Sequence, residues 1–559
     1  MVVRTITLDG TQARPADIVD IACAHAPVSL ARAGLDRAAD SQQAAIEIAK
    51  RRPVYGRSTG VGANRAEDVA SSDTDTHGLR LLRSHAGGIG PLVPPAQVRA
   101  MLAVRANQIL AGGGGLQPAF AEAMAAALNS GHLPEIHEIG AIGTGDLTAL
   151  AETALTLIGE RPWTTVHRPS DQPPGDHEAG DHEAGLEETA HLVTGHRPAG
   201  HLGTPPEPVK PAAGDALAFC SSSALTIGQA TLAWSEIDGL LHVTHVVAAL
   251  SLLAVDGSTE PYDEQVHAAR PHPGSVAVAA EMRRLLSTPR TPEAQGPHIP
   301  EPAHTGLSPT PRIQDPFGYR CLPQVHGPAV DAASALERVL AIEINAAAEN
   351  PLISLHTPSE DPPSATIHHH GGFHQAALGL AMDHLRVALL HTAHLSTARL
   401  ATLAEPAFTG LRPFLAEGPA GSSGVMILEY SANSALAQLR NAAYPAGLGH
   451  AVLSRGMEDH ASFASQSARQ TFQAAASYRL VLACELVAAV RALRQRALTP
   501  DPATPAGQAF AQVSDHLDPR GEDRSLTPDV ETATRLLNTL ADPLTTPSQG
   551  PPRPARGRR

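Results

Sequence analysis

Apolar residues recur at helical spacing through most of the chain, and stretches that alternate between apolar and polar residues are few. Four long segments rich in Ala and Leu predict helices, at 216–250, 329–348, 373–403 and 460–497. The last segment has one apolar helical face, formed by Leu482, Leu486, Val490 and Leu493. Its charged residues lie largely elsewhere: Arg479, Glu485, Arg491 and Arg494. The pattern predicts a mainly α protein whose long helices pack as a bundle.

The first 160 residues combine helical patterns with glycine-rich turns. A helical pattern follows Pro95 and breaks at the glycines of 111–116. Further along, the stretch AIGTGDLTAL at 141–150 places two glycines around a threonine, and then an aspartate before an apolar run. Taken alone, it predicts a tight turn in which Asp146 caps a helix that ends near Gly159.

Proline-rich segments interrupt these patterns. Residues 161–213 contain many prolines and a tandem DHEAG repeat, so they are expected to be a mobile insertion, because such a segment buries too little apolar surface to offset its ordering entropy. A second proline-rich loop is expected at 285–312, and the tail from Pro543 is expected to be disordered. The predicted parts of the chain are 1–160, 161–213, 214–500 and 501–559.

Composition narrows the function classes. Only 3% of the 559 residues are aromatic, so the core must consist of Ala, Leu, Val and Ile. A net charge of −15 argues against nucleic acid or an anionic membrane as the main partner. The four cysteines have no CxxC spacing, and the 29 histidines match no zinc motif, so neither a disulfide framework nor a metal site is expected. With no apolar signal core and no run of about 18 apolar residues, the expectation is a soluble, cytoplasmic protein with a small-molecule substrate.

Six stretches occur in an order and spacing that resemble the histidine and aromatic amino-acid ammonia-lyase family. They are VYGRSTGVGANR (54–65), LLRSHAGGIG (81–90), AIGTGDLTALAETALTLIGE (141–160), QDPFGYRCLPQVHG (314–327), EINAAAENPLIS (343–354) and MEDHAS (457–462). PFLAEGPAGSSGVMI at 413–427 adds to the resemblance, which spans roughly residues 3–500 outside the two proline-rich segments. It implies a long central helix bundle with a loop-rich active-site region at 1–160. It also implies a homotetramer whose active sites combine loops from several subunits.

The resemblance also implies a cofactor made from the chain itself. In the family, an internal Ala-Ser-Gly cyclises and loses two waters to give 4-methylideneimidazol-5-one (MIO), an electrophile. The matching residues here are Gly143, Thr144 and Gly145. Gly145 leaves the attacking amide nitrogen unhindered, and Thr144 retains the β-hydroxyl that must be eliminated. The product would carry an extra methyl on the carbon to be attacked, and the β-branch crowds the loop, so cyclisation and an unmodified turn both stay open.

Other positions match the roles of family residues. Tyr55 matches the general base on the β-carbon, although a phenol ordinarily has a pKa near 10. Arg320 matches the arginine that binds the substrate carboxylate. His85 and Glu458 match substrate-selecting positions and are the residue types of histidine-directed members, since a carboxylate suits recognition of an imidazole. Asn350 matches a loop residue near the electrophile.

Further positions belong to the pocket or depart from the family. Phe373 matches a pocket aromatic. Ser221 stands where the family has an asparagine, and Phe317 where it has a tyrosine. Gly372 replaces another asparagine, and Met457 replaces a glutamine. Together these changes predict a less polar pocket that retains carboxylate binding and acid–base chemistry.

These features favour an enzyme that eliminates ammonia from a small α-amino acid, either histidine-like or aromatic. Three alternatives stay open. The first is a lyase, dehydratase or isomerase that works without MIO on a carboxylate-bearing biosynthetic substrate. The second is an aminomutase, which would return the amine to the β-carbon. The third is a non-catalytic relative with a structural or regulatory role.

Overall fold

The computed structural model describes residues 4–69, 74–165, 204–287, 312–357 and 364–541. Most of the predicted insertion at 161–213, most of the predicted loop at 285–312 and the predicted tail from Pro543 lie outside these residues. Within them the protein is mainly helical, so the predicted fold class is confirmed.

Two helices of the first half end at the predicted glycine breaks. The helices of this half are α1 (Pro15–Ala22), α2 (Arg32–Ala49), α3 (Thr74–His85), α4 (Pro95–Ala111), α5 (Ala119–Ser130), α6 (Leu147–Leu157), α7 (Asp215–Cys220), α8 (Ala224–Ala254), α9 (Glu264–Ala268) and α10 (Pro273–Leu286). The glycines predicted to end α4 and α6 do so with left-handed backbones, at φ +85° for both Gly112 and Gly159.

The second half contains three long helices. Its elements are α11 (Phe317–Arg320), α12 (Leu322–Ile344), α13 (Ala376–Ala404), α14 (Pro406–Thr409), α15 (Met426–Ala442), α16 (Ala464–Gln495), α17 (Pro505–Ser514) and α18 (Thr527–Ala541). The predicted helices at 329–348, 373–403 and 460–497 correspond to α12, α13 and α16.

Strands are short and pair two by two. β1 (Ile6–Leu8) pairs in parallel with β2 (Val28–Leu30), whereas the other pairs are antiparallel. These are β3 (Ile89–Leu92) with β5 (His137–Ile139), β4 (His132–Pro134) with β6 (Trp163–Thr165), and β7 (Leu352–Thr357) with β8 (Ser364–His368).

The predicted helix at 216–250 is in fact two helices. Ser221, Ser222 and Ser223 separate α7 from α8, and Ser221 has a non-helical backbone at φ −81° and ψ 62°. Serine hydroxyls offer the backbone alternative hydrogen bonds, which explains a break inside an apolar pattern. By length and composition alone, 215–254, which contains α7 and α8, is apolar enough to cross a membrane. Since 78% of its most apolar window is buried inside the protein, the span has the character of a core helix.

The chain forms two compact units; four of their boundaries fall inside α8, α12, α13 and α16, and the fifth, at 443/444, follows α15. Unit 1 comprises 1–235, 334–385 and 444–472, and unit 2 comprises 236–333, 386–443 and 473–559. In unit 1, Arg105 and Glu349 form a fully buried ion pair at 2.7 Å, and Arg105 also donates to the carbonyls of Ala218 and Phe219. This guanidinium fixes α4 against α7 and against the loop before β7.

Unit 2 has its own buried polar centre. Arg399 on α13 and Glu485 on α16 form an ion pair at 2.6 Å, with both side chains fully buried. Ser251 and Ser396 each donate a hydroxyl hydrogen bond to the same carboxylate. The apolar face predicted for α16 is buried as expected, and Glu485, away from that face, is buried as well.

Candidate active site

The loop with Gly143, Thr144 and Gly145 lies in unit 1, between β5 and α6. Gly143 has φ +85° and Gly145 has φ +112°, backbone conformations that favour glycine. A Cβ on Gly143 would lie 2.1 Å from Ser462 Oγ and 2.7 Å from the nitrogen of Ala464. Both the backbone and the available space therefore favour glycine at 143, where the family has alanine.

Two donors converge on the carbonyl oxygen of Gly143. Ser462 donates its hydroxyl at 2.8 Å, and the backbone N–H of Gln375 donates at 3.2 Å. Gln375 directly precedes α13, and Ser462 lies two residues before α16. Because helix N-termini carry partial positive charge, this position favours negative charge on the oxygen.

Asp146 has a different role from the predicted one. Its side chain does not cap α6; its carboxylate accepts hydrogen bonds from the N–H and the hydroxyl of Thr226, each at 2.8 Å. The Asp146 N–H donates to the Ser222 carbonyl at 2.7 Å. Burial raises the pKa of the Asp146 carboxyl to about 6. These bonds attach the end of the glycine loop to the start of α8.

The atoms that would cyclise are compatible with that reaction. Gly145 is unhindered, since a Cβ there would come no closer than 3.8 Å to another group, the Ser222 carbonyl oxygen. In the described part of the chain, neither the Gly145 N–H nor the Thr144 hydroxyl forms a hydrogen bond. An unengaged nitrogen, a carbonyl with two donors and a retained β-hydroxyl together fit formation of an MIO-type group.

Tyr55 and Glu458 meet at the Gly62 turn. The Gly62 N–H donates to the Tyr55 phenolic oxygen at 2.7 Å, and within the described ranges the Tyr55 O–H has no acceptor. A carboxylate oxygen of Glu458 lies 3.9 Å from the position that a Cβ on Gly62 would take. The Ala63 N–H donates to Ser454 at 3.0 Å, which joins the two loops. The structure thus brings together two residues that are about 400 positions apart in the sequence.

Ser221 and Asn350 are in direct contact. The Asn350 N–H donates to Ser221 Oγ at 2.9 Å, and the Asn350 side-chain oxygen accepts from the His370 N–H at 3.0 Å. Asn350 and Tyr55 line one cavity of about 10 Å³, which has room for about one water molecule. Glu349 also lines it, and one of its buried carboxylate oxygens has no hydrogen-bond partner among the described residues.

Phe373 and His85 differ in their relation to the glycine loop. Phe373 is half-buried and lies two residues before Gln375, whose amide contacts Gly143. His85 ends α3, and its ring contacts the Leu81 carbonyl at 2.9 Å and Ser84 at 3.1 Å. In the portions of the chain that the structure describes, no hydrogen bond or ion pair joins His85 to the other predicted site residues.

Arg320 and Phe317 belong to α11, in unit 2. The Arg320 guanidinium lies 4.2 Å from the centre of the Phe317 ring, and its Nε donates to the Asp315 carbonyl at 2.9 Å. No carboxylate of the described residues pairs with Arg320, so its terminal nitrogens are available for an external carboxylate. Tyr319 does not restore the hydroxyl lost at Phe317, because its ring is fully buried.

Several contacts at this site were not predicted. Ser462 lies in the MEDHAS motif just before α16, a position where a serine signals a helix start, so the sequence contains a clue to it. Gln375 and Gly62 contribute through backbone N–H groups, which side-chain patterns do not reveal. A contact between His374 and His460, 3.0 Å between ring nitrogens, joins the two motifs that contain Phe373 and Glu458.

Comparisons with known proteins show the family of the chain. The family described as "Aromatic amino acid lyase" matches residues 13–515. The histidine ammonia-lyase of Sorangium cellulosum is 32% identical over 532 residues, covering 94% of this chain and 96% of that protein. That of Streptomyces coelicolor is 31% identical, covering 95% and 96%.

The fold of this chain is also similar to that of solved structures. Tyrosine aminomutase from Streptomyces globisporus superposes with a TM-score of 0.80 at 26% identity, covering 96% of this chain and 97% of that one. Ergothionase from Treponema denticola has the same TM-score at 23% identity, covering 96% and 99%, and this likeness concerns the fold alone. The resemblance drawn from the sequence motifs is confirmed, and the chain belongs to the aromatic amino acid lyase family.

Proposed function

We propose that this protein is a carbon–nitrogen lyase that eliminates ammonia from a small α-amino acid, histidine-like or aromatic. The observation that carries the proposal is the pairing of Tyr55 with Glu458 around Gly62, in a chain whose relatives named histidine ammonia-lyase match almost its whole length. A phenol whose proton has no acceptor and a carboxylate at the same glycine turn are groups suited to proton transfer and imidazole recognition. The departures at Thr144, Ser221 and Phe317 leave the particular amino acid open.

In this mechanism the chain's own residues bind the substrate and move its proton. Arg320 holds the substrate carboxylate in a bidentate contact, and the stacked Phe317 ring restricts the guanidinium. Glu458 and His85 select the side chain. The Tyr55 phenolic oxygen takes up the β-proton while the Gly62 N–H fixes the position of that oxygen. When formed from Gly143-Thr144-Gly145, the MIO-type group supplies the electrophile that makes ammonium a workable leaving group.

We also propose a homotetramer with shared active sites, located in the cytoplasm. Both units expose large apolar side chains of the kind that oligomer interfaces cover. Examples are Ile342 (67% exposed) and Leu380 (64%) in unit 1, and Ile427 (55%) and Tyr430 (67%) in unit 2. Light scattering during gel filtration tests the assembly: a mass of four chains is expected, and a monomer that remains active would contradict shared sites.

Two measurements on the purified protein test the activity. The first is ammonia release from histidine, phenylalanine and tyrosine, together with chromatography of the organic product. The second is the intact mass with peptide mapping across 141–150. Ammonia release from a chain two waters lighter at 143–145 supports the full proposal, and ammonia release from an unmodified chain supports only the MIO-free lyase. A product with the amine on the β-carbon indicates an aminomutase, and no turnover of any substrate contradicts the proposal.

A further inference from the structure

We propose that the Ser462 hydroxyl promotes cyclisation of Gly143-Thr144-Gly145, by stabilising the negative charge that develops on the Gly143 carbonyl oxygen. Ser462 therefore acts directly on the reacting carbonyl during maturation of the protein, a role separate from substrate turnover. The inference rests on the part of the proposed function in which the loop cyclises.

Cyclisation makes specific demands on the Gly143 carbonyl. The Gly145 nitrogen bonds to the Gly143 carbonyl carbon, and the electron pair of the C=O bond moves to the oxygen. That oxygen leaves as the first water, with the protons of the Gly145 and Thr144 amides, as a C=N bond forms to the Thr144 nitrogen. The Thr144 hydroxyl and α-proton leave as the second water and create a C=C bond. No oxidant or reductant is needed, and negative charge gathers on the Gly143 oxygen in the first step.

The hydrogen bonds around Ser462 direct its proton to that oxygen. Ser462 Oγ accepts from the Ala464 N–H at 3.3 Å and lies 2.8 Å from the Gly143 oxygen. A hydroxyl has one proton to donate, so the accepted bond from Ala464 leaves that proton for the carbonyl. The Gln375 N–H, at 3.2 Å, supplies a second and longer bond to the same oxygen. Two preorganised donors on an oxygen that becomes negative are the arrangement of an oxyanion hole.

Burial strengthens the effect of this contact. Ser462 is 6% exposed and Gln375 is 1% exposed, so water competes little for the carbonyl oxygen. The contact also depends on Gly143, because a Cβ there would lie 2.1 Å from Ser462 Oγ. Ser462 can therefore approach the loop this closely only because residue 143 is glycine and not the alanine of the family.

Ser465 provides a matched control. Its hydroxyl donates to the carbonyl of Ala141 at 2.7 Å, in the same loop and beside the same helix start, but that carbonyl takes no part in cyclisation. Ser462→Ala and Ser465→Ala each remove one hydrogen bond from a buried serine to a loop carbonyl. They should cost similar stability, and only the first should affect the chemistry.

The experiment follows the two-water mass loss of the 141–150 peptide over time after expression, in the full-length wild type and in both variants. We expect Ser462→Ala to slow the mass loss by about 100-fold, the usual effect of losing one oxyanion-hole donor, and Ser465→Ala to match the wild type. Thermal melts confirm that both variants are folded. Equal rates in the two variants would overturn the proposal.

Two further variants, Ser462→Cys and Thr144→Ser, distinguish a defect in cyclisation from a folding defect and from failure of the proposed function. Ser462→Cys keeps the shape with a weaker donor, so its rate should fall between those of wild type and Ser462→Ala even if the alanine variant folds poorly. If the wild-type chain stays unmodified, the cyclisation part of the proposed function fails. The series is then repeated in Thr144→Ser, which removes the obstructing methyl, and the same order of rates is expected. Absence of mass loss in Thr144→Ser as well would overturn the role of Ser462.

Discussion

Asp146 and Thr226 form two hydrogen bonds of 2.8 Å, from the threonine N–H and hydroxyl to a fully buried carboxylate. Asp146 directly follows Gly145, and Thr226 lies in the first turn of α8. The contact therefore holds one end of the glycine loop at a helix start. It also keeps an ionisable group out of water, so the stability of the loop should depend on pH.

The pH dependence of stability follows from the raised pKa of Asp146. An unfolded aspartate has a pKa near 3.9, and burial raises the folded value to about 6. The folded chain thus binds the proton more tightly, so this group's contribution is fully present below pH 4 and is lost as pH rises through about 6. The loss is on the order of 3 kcal/mol.

Asp146→Asn should remove this component. We expect the free energy of unfolding, measured by urea denaturation between pH 4 and pH 7, to fall less steeply with pH in the variant than in the wild type. Asp263→Asn is the control, because the Asp263 carboxylate also caps a helix, α9, but remains exposed. Equal slopes for the wild type and Asp146→Asn would show that Asp146 does not titrate in this range.

Tyr55→Phe should abolish turnover without affecting the fold. The ring is half-buried and its hydroxyl accepts one bond from Gly62, so removal of the oxygen leaves packing intact. Loss of a general base lowers kcat by about 10²–10⁴-fold. Steady-state kinetics should show this decrease with substrate binding retained, whereas kcat within a few-fold of wild type would exclude Tyr55 as the base.

Sequence patterns predicted the long helices well because α12, α13 and α16 combine apolar periodicity with ends near glycine, proline or loop segments. They missed the break at Ser221 because the flanking apolar pattern continues through it. They also could not predict the hydrogen-bond partner of the Asp146 carboxylate. The local pattern indicated the first turn of α6, but the carboxylate accepts from Thr226, which is distant in the sequence. The contact of Gly143 with Ser462 joins residues far apart in sequence, so motif order indicates it only indirectly.

Arg320→Lys tests carboxylate binding. A lysine retains the charge but not the planar fork, and it stacks less well on Phe317. Loss of one charge-assisted hydrogen bond of about 1.5–3 kcal/mol should raise KM by about 10–100-fold. Arg284→Lys, in the surface pair with Glu281, is the control and should leave KM unchanged. A lower kcat at constant KM would instead place Arg320 in the chemical step.

Gly143→Ala restores the alanine of the family motif, and we nevertheless expect it to be harmful here. Alanine at φ +85° costs about 1–2 kcal/mol, and its Cβ would collide with Ser462 Oγ. The variant should therefore melt at a lower temperature than wild type and lose the Ser462 contact. Gly421→Ala is the control at an exposed glycine without positive φ, where a Cβ would meet nothing within 4 Å. An unchanged melting temperature in Gly143→Ala would show that the loop relaxes freely.

Removing one partner of the ion pair of Arg399 and Glu485 should strongly destabilise unit 2. Both side chains are fully buried, and the carboxylate also accepts hydroxyl bonds from Ser251 and Ser396. Arg399→Met leaves a buried carboxylate without its counter-charge, which costs about 3–5 kcal/mol of unfolding free energy. Adding Glu485→Met should recover part of that loss, because the uncompensated charge is then gone while the volume stays filled. Chemical denaturation of the two variants measures this order. A double variant less stable than Arg399→Met would contradict it, and would mean that loss of the hydrogen bonds from the two serines costs more free energy than burial of the unpaired carboxylate.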